Sequence, residues 1–212
     1  MIGVSGLRER KKVETRAALS WAAITLTVER GFDDVKVEDI AAMAGVSPRT
    51  FNNYFASKAE AITSRHLDRV RRMAGDLRAR PSDEPLWAAV TAAVMAQFEP
   101  GPEVTARPVT DPAGWVAGLR VMVTEAGLQG EMLRAGALAE KELAAAVAER
   151  TGTDLDTDMY PHLVAAAVTA ATNVAIQHYL RSGPAAGMEI LLPDALAQFA
   201  AGLPAPRPPR EP

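Results

Sequence analysis

Cysteine is absent from the 212-residue chain. That excludes a disulfide framework, thiolate-ligated zinc, iron–sulfur clusters and a thiol nucleophile. Histidine is scarce, with three in all, so little is left for a histidine-rich metal site, and neither a metal nor a cofactor is expected. Long apolar runs are missing too. The longest are about six residues, such as Leu163 to Val168, against the ~20 that a membrane span needs. The first residues, MIGVSGLRERKK, place a short apolar start before charge. A secretory signal has the reverse order, and a cytoplasmic protein is expected. No glycine-rich phosphate loop, nucleophile elbow or His-Glu-x-x-His pattern occurs.

What is present is an apolar content of 48% beside 23% charged residues. This suffices for one large or two small domains with a hydrophobic core, and excludes a disordered chain. The net charge of −3 conceals an asymmetry. Up to Arg80 the chain carries 15 Lys and Arg against 10 Asp and Glu; beyond it, 8 against 16. A basic end on an acidic body is expected where that end faces a polyanion. Arginine outnumbers lysine 18 to 5 and alanine is abundant, the mark of a GC-rich genome.

Apolar residues recur at three and four rather than at two, so the chain reads as all-α. The first helix is expected from about Arg8 to Arg30, with Leu19, Ala22, Ala23 and Leu26 as its buried stripe and Gly31 as its stop. Short helices follow at 37–44 and 48–55, the latter capped by Ser47 with Pro48 in its first position. Ser57-Lys58-Ala59-Glu60 is a capping box opening a helix to about Arg80. Further helices are expected near 84–98, 112–126, 128–151, 157–181 and 185–202, with a proline-rich loop over 99–114.

Residues 37–55, VEDIAAMAGVSPRTFNNYF, carry the functional pattern. Ile40, Ala41 and Ala44 turn inward, the small Ala41 allows a close crossing, Gly45 permits a positive φ, and Val46 plugs the angle. This is a helix-turn-helix, whose second helix enters the DNA major groove. Arg49 suits guanine, Asn52 and Asn53 suit adenine or phosphate, and the Thr50 and Tyr54 hydroxyls suit phosphate. Lys58, opening the next helix, is a further phosphate candidate. A helical hairpin alone would be weak evidence; Ala-x-x-Ala-Gly-Val-Ser followed by Arg, two Asn, Tyr and Lys is far more specific.

Residues 14–62 resemble the N-terminal domain of TetR-family transcriptional regulators. The matching residues are Thr15-Arg16, Ala22-Ala23, Glu29 to Phe32, Val37 to Ala41, Ala44 to Ser47, and Tyr54-Phe55-x-Ser57-Lys58-x-Glu60. The SPRTFNNYF version is similar to that of regulators from high-GC actinobacteria. The resemblance implies a homodimer with a three-helix DNA-binding head and a larger helical body for ligand binding and dimerisation. On this reading residues 1–56 form the head, 57–203 the body, and 204–212 a disordered Pro-rich tail. The family's DNA-contacting positions fall on Ser47, Pro48, Arg49, Thr50, Asn52, Asn53 and Tyr54, with Lys58 on phosphate. Two residues depart from the family pattern. Lys36 stands where a threonine N-cap is usual and could itself touch phosphate. Thr27 replaces a frequent phenylalanine, leaving Trp21 to fill the head's core.

The body carries no motif. The resemblance implies a pocket for a small hydrophobic ligand, with Met95, Phe98, Trp115, Met122, Asn173 and Gln177 as candidates. Asn173 and Gln177, four apart, share a helix face. Ala165, Ala166, Ala170 and Ala171 could admit a partner's helix. Asp154 to Asp158 starts like a calcium loop but lacks its glycine and glutamate, so these acids are expected to cap the next helix. The expected function is a repressor released from a pseudo-palindromic operator by its ligand. The alternatives are a regulator controlled by a protein partner or by concentration, and a helical enzyme, which would need an acid–base constellation the sequence lacks.

Overall fold

The computed structural model describes residues 4–99, 105, 110–182 and 187–204, without the side chains of 4–6 and 121. The expected tail, from residue 205 onward, and most of the 99–114 loop lie outside them. Every regular element among the described residues is an α-helix. In order these are α1 (Val4–Arg30), α2 (Val37–Met43), α3 (Pro48–Asn52), α4 (Lys58–Ala79), α5 (Leu86–Ala96), α6 (Pro112–Val123), α7 (Ala126–Thr151), α8 (Tyr160–Ser182) and α9 (Met188–Ala200).

The described chain divides into two compact units. One takes in the chain to Arg71 together with Glu99–Ala139; the other takes in Arg72–Phe98 and everything from Glu140. The division falls inside two unbroken helices, in α4 after Arg71 and in α7 after Ala139.

In the first unit the core gathers Leu19, Leu26, Val35, Ile40, Phe51, Phe55, Ile62 and Leu128 around α1. The α6 helix packs on α1. Their contact is close because Gly118 faces Val28: a Cβ there would meet Val28 Cγ1 at 2.5 Å and its carbonyl oxygen at 2.7 Å. Beside it the Trp21 and Trp115 rings meet at 5.1 Å, tilted by 43°. Trp21 does join the head's core cluster, while Thr27 is buried at 4% exposure. The α6 helix starts at Pro112, where its expected range begins, and Asp111 caps it: its carboxylate accepts the Gly114 N–H at 3.0 Å.

In the second unit α9 packs along α8 and against α5. One side chain closes the end of α4. The Arg150 guanidinium donates to the carbonyls of Leu77, Arg80, Pro81 and Glu84. Leu77 lies in the last turn of α4, whose carbonyls lack intrahelical partners and whose dipole suits a cation, and the other three belong to the connection that follows. Nearby, Arg78 grips Glu149 through two bonds of 2.6 and 2.9 Å. Arg150→Ala is expected to cost about 2–3 kcal/mol, because several carbonyls lose a charged donor at once. Thermal unfolding should shift down by roughly 4–12 °C. Arg150→Lys should recover little, since one ammonium cannot span four carbonyls; full recovery would show that charge alone matters.

The acids at 154–158 act locally rather than on α8. The Asp154 carboxylate accepts the N–H groups of Asp156 and Thr157 and the Thr157 hydroxyl, and Asp158 accepts the Asp154 N–H. Those backbone donors hold the Asp154 carboxyl below its usual range. Of the four α8 alanines expected to admit a partner's helix, Ala165 and Ala171 are buried within the unit, and Ala166 and Ala170 are exposed. The α8 helix is long and apolar enough by composition to cross a bilayer. It nonetheless packs against α9, and Asn173, Gln177, His178 and Arg181 are among its exposed residues.

Candidate nucleic-acid interface

The α2–α3 corner follows from the sequence residue by residue. Lys36 offers no acceptor to cap α2, so the cap works in the other direction: Asp39 accepts the Lys36 N–H at 3.1 Å. The α2 helix ends in a Schellman turn. Val46 N–H bonds the Ala41 carbonyl at 2.9 Å, Gly45 N–H bonds Ala42 at 3.1 Å, and Gly45 sits at φ +72°. A side chain at that φ would be strained, so glycine is required there. Ser47 Oγ then accepts the Thr50 N–H at 3.1 Å, and Pro48 occupies the first turn of α3.

The α3 helix ends at Asn52, short of the expected Phe55. Asn53 N–H and Tyr54 N–H turn back three residues, to Thr50 and Phe51, which tightens the last turn and ends the α-helix. Phe51 is fully buried at 0% exposure and meets Phe55 at 5.7 Å between ring centroids. On the opposite side Pro48, Arg49, Asn52 and Asn53 are exposed, as is Ser47 before them. Thr50 and Tyr54 are half-buried; the Thr50 hydroxyl lies 2.9 Å from Ser47 Oγ. Arg49, Asn52 and Asn53 have no side-chain partner among the described residues. Lys36 is exposed at the start of α2. The head therefore presents one fork of donors and two amides on a buried, capped support.

The Lys58 ammonium, expected on phosphate, is turned inward here, bonded to the carbonyls of Phe32 and Val35 and 4.2 Å from the Phe32 ring centroid. It fastens the 31–36 connection to α4. The capping box beside it also differs in detail. Ser57 Oγ accepts the Glu60 N–H at 3.0 Å, but Glu60 reaches back to the N–H of Ala56 rather than to the cap residue.

Arg16 carries more than its sequence context announced. Its Nε meets Asp68 at 2.9 Å, its Nη1 donates to the Tyr54 carbonyl at 3.3 Å, and its guanidinium lies 4.5 Å from the Phe55 ring centroid. It thus ties the end of α3 to α1 and α4. On α4, burial and the neighbouring Arg69 push the His66 imidazole below its usual value, so it adds little positive charge near neutrality.

The six ligand candidates do not gather in one unit. Trp115 and Met122 pack on the head's core cluster in the first unit. Met95, Phe98, Asn173 and Gln177 belong to the second. Met95 and Phe98 are half-buried there, whereas Asn173 and Gln177 are exposed. Their shared face is real, but it faces out of the unit because Val164, Ala165, Val168, Ala171 and Ala175 take the inward side of α8.

Residues 21–61 match the family model described as bacterial regulatory proteins, tetR family, and residues 84–204 match the MftR C-terminal domain. The HTH-type transcriptional regulator TcmR of Streptomyces glaucescens is 35% identical over 84% of this chain and 78% of its own. A Mycobacterium tuberculosis protein described as a mycofactocin biosynthesis transcriptional regulator, MftR, is 30% identical over 81% and 83%. Among solved structures, a TetR-family regulator from Rhodococcus superposes with a TM-score of 0.56 at 21% identity, over 91% of this chain and all of its own. The fatty acid degradation regulator FadR of Bacillus halodurans gives 0.57 at 14% identity, over 89% and 96%.

Proposed function

The chain belongs to the TetR family of DNA-binding transcriptional regulators, and from that premise we propose that it is a homodimeric, cytoplasmic repressor released from a pseudo-palindromic operator by a small hydrophobic ligand. The observation that carries the reading is the outward row Ser47, Pro48, Arg49, Asn52 and Asn53 on a helix whose inner side is the fully buried Phe51. In this reading the head enters a major groove, Arg49 reads guanine, the two asparagines read adenine or phosphate, and Lys36, Thr50 and Tyr54 hold the backbone. Two heads would read half-sites about 35 Å apart. A ligand that favours the wrong head spacing lowers operator affinity, and the operator lowers ligand affinity by the same factor.

For the dimer, the support is the outer face of α8. Leu163 and Val174 stand there at 61% and 57% exposure, in a stripe with Ala166, Ala170, Asn173 and Gln177. An apolar stripe of that kind in solvent is the signature of an interaction surface. Leu163→Glu with Val174→Glu should leave a folded monomer in sedimentation and abolish cooperative two-site binding; an unchanged dimer would place the interface elsewhere.

The decisive experiment is selection from a random duplex library at stated salt. Enrichment of one two-fold symmetric motif supports the reading. If no motif is enriched even after unfolding, washing and refolding, specific DNA recognition by this head is refuted.

A further inference from the structure

The α1 helix begins at Val4, but its packing begins late. Every side chain from Leu7 to Glu14 is exposed, and burial starts at Leu19. Four cations occupy that stretch, Arg8, Arg10, Lys11 and Lys12. None has a side-chain hydrogen-bond or ion-pair partner among the described residues. Glu9 and Glu14 offset two of these charges, and the stretch keeps an excess of positive charge. Among the described residues the segment buries no side chain, and its excess of positive charge is one that a polyanion lying along it would offset.

Its register shows where that polyanion would lie. At about 100° per residue, Arg8, Lys11 and Lys12 fall within an arc of roughly 100°. Leu19, Ala22 and Leu26, which α1 turns into the head's core, continue the same arc. Arg10 points the other way. Arg16 fixes the position along the axis, since it bonds the Tyr54 carbonyl at the end of the α3 segment. Lys12, Lys11 and Arg8 precede it by roughly 6 to 12 Å of helix rise. The three cations therefore continue past the end of α3 on the side that faces the head. A helix lying in a groove is flanked by phosphate strands, and duplex DNA carries a charge every ~1.7 Å of axis.

We propose that Arg8, Lys11 and Lys12 form a second, sequence-independent phosphate-binding surface that clamps the duplex beside the α3 end of each head. This inference rests on the DNA-binding reading above. Its test is the triple variant Arg8→Gln, Lys11→Gln, Lys12→Gln in the full chain, with Arg10→Gln as the control from the opposite face. Binding to the selected operator and to a random duplex is measured across a salt series, with circular dichroism verifying the fold. The slope of log affinity against log salt should fall in magnitude by about 3 per head, with equal fold-losses on both duplexes, while Arg10→Gln changes it by less than a third of that. A triple variant with the wild-type slope, or one weakened on the operator alone, overturns the inference and leaves the DNA-binding reading standing. A wild-type chain without salt-dependent duplex binding overturns both.

Discussion

Phe51→Ala is expected to abolish operator binding by melting the support of the recognition helix, not by removing a contact to DNA. Phe51 is fully buried among Leu19, Val35, Ile40, Ala41 and Phe55. Truncating such a ring removes its transfer free energy and leaves a cavity that rigid neighbours fill incompletely, at about 3–5 kcal/mol. The α3 helix has five residues, too few to persist alone. The loss is large against a total stability of roughly 5–15 kcal/mol, and thermal unfolding should fall by roughly 6–20 °C. Phe51→Leu, which keeps most of the volume, should retain binding with a smaller shift. A Phe51→Ala protein with wild-type stability and no binding would refute this account, since the ring would then act through the DNA surface.

What the sequence announced and what it withheld separate along physical lines. Elements ended by local chemistry were readable. Gly45 and Ser47 determine their own turn and cap, and the helix from Lys58 starts where the Ser57–Glu60 pattern puts it. The α3 end was misplaced by three residues because the tightened turn at Asn53 and Tyr54 depends on Phe51 and Phe55 being drawn into a core. Contacts made across the chain were not readable at all. Lys58 has the composition of a phosphate ligand, yet two carbonyls some 23 and 26 residues earlier engage it. Arg16 and Arg150 look like surface charges in helical patterns, and distant carbonyls turn each into a clasp. Asn173 and Gln177 share a face as their spacing required, but periodicity does not say which face of an apolar, alanine-rich helix turns inward. Where the two units divide is not legible locally either, since α4 and α7 carry no break at Arg71 or Ala139.

Arg49→Ala is expected to remove sequence discrimination while leaving the protein folded. The side chain is exposed and supports no buried neighbour, so stability should change by less than about 0.5 kcal/mol. A bidentate arginine–guanine contact is worth about 1–3 kcal/mol of discrimination. In the proposed dimer the contact is made twice, so operator affinity should drop by about 2–6 kcal/mol, roughly thirtyfold to twenty-thousandfold. Binding to a random duplex should fall far less, and base preference should relax at one position in each half-site. Arg49→Lys separates the fork from the charge. Lysine keeps the positive charge but cannot donate two parallel bonds to one base edge. Random-duplex affinity and the salt slope should therefore stay close to wild type in Arg49→Lys, while operator affinity falls nearly as far as in Arg49→Ala. This pattern is the inverse of that expected for the Arg8, Lys11 and Lys12 variant, which loses slope and affinity on every sequence alike. Equal losses on operator and random DNA for Arg49→Ala would assign this residue to the phosphate backbone, and base reading would then fall to Asn52 and Asn53.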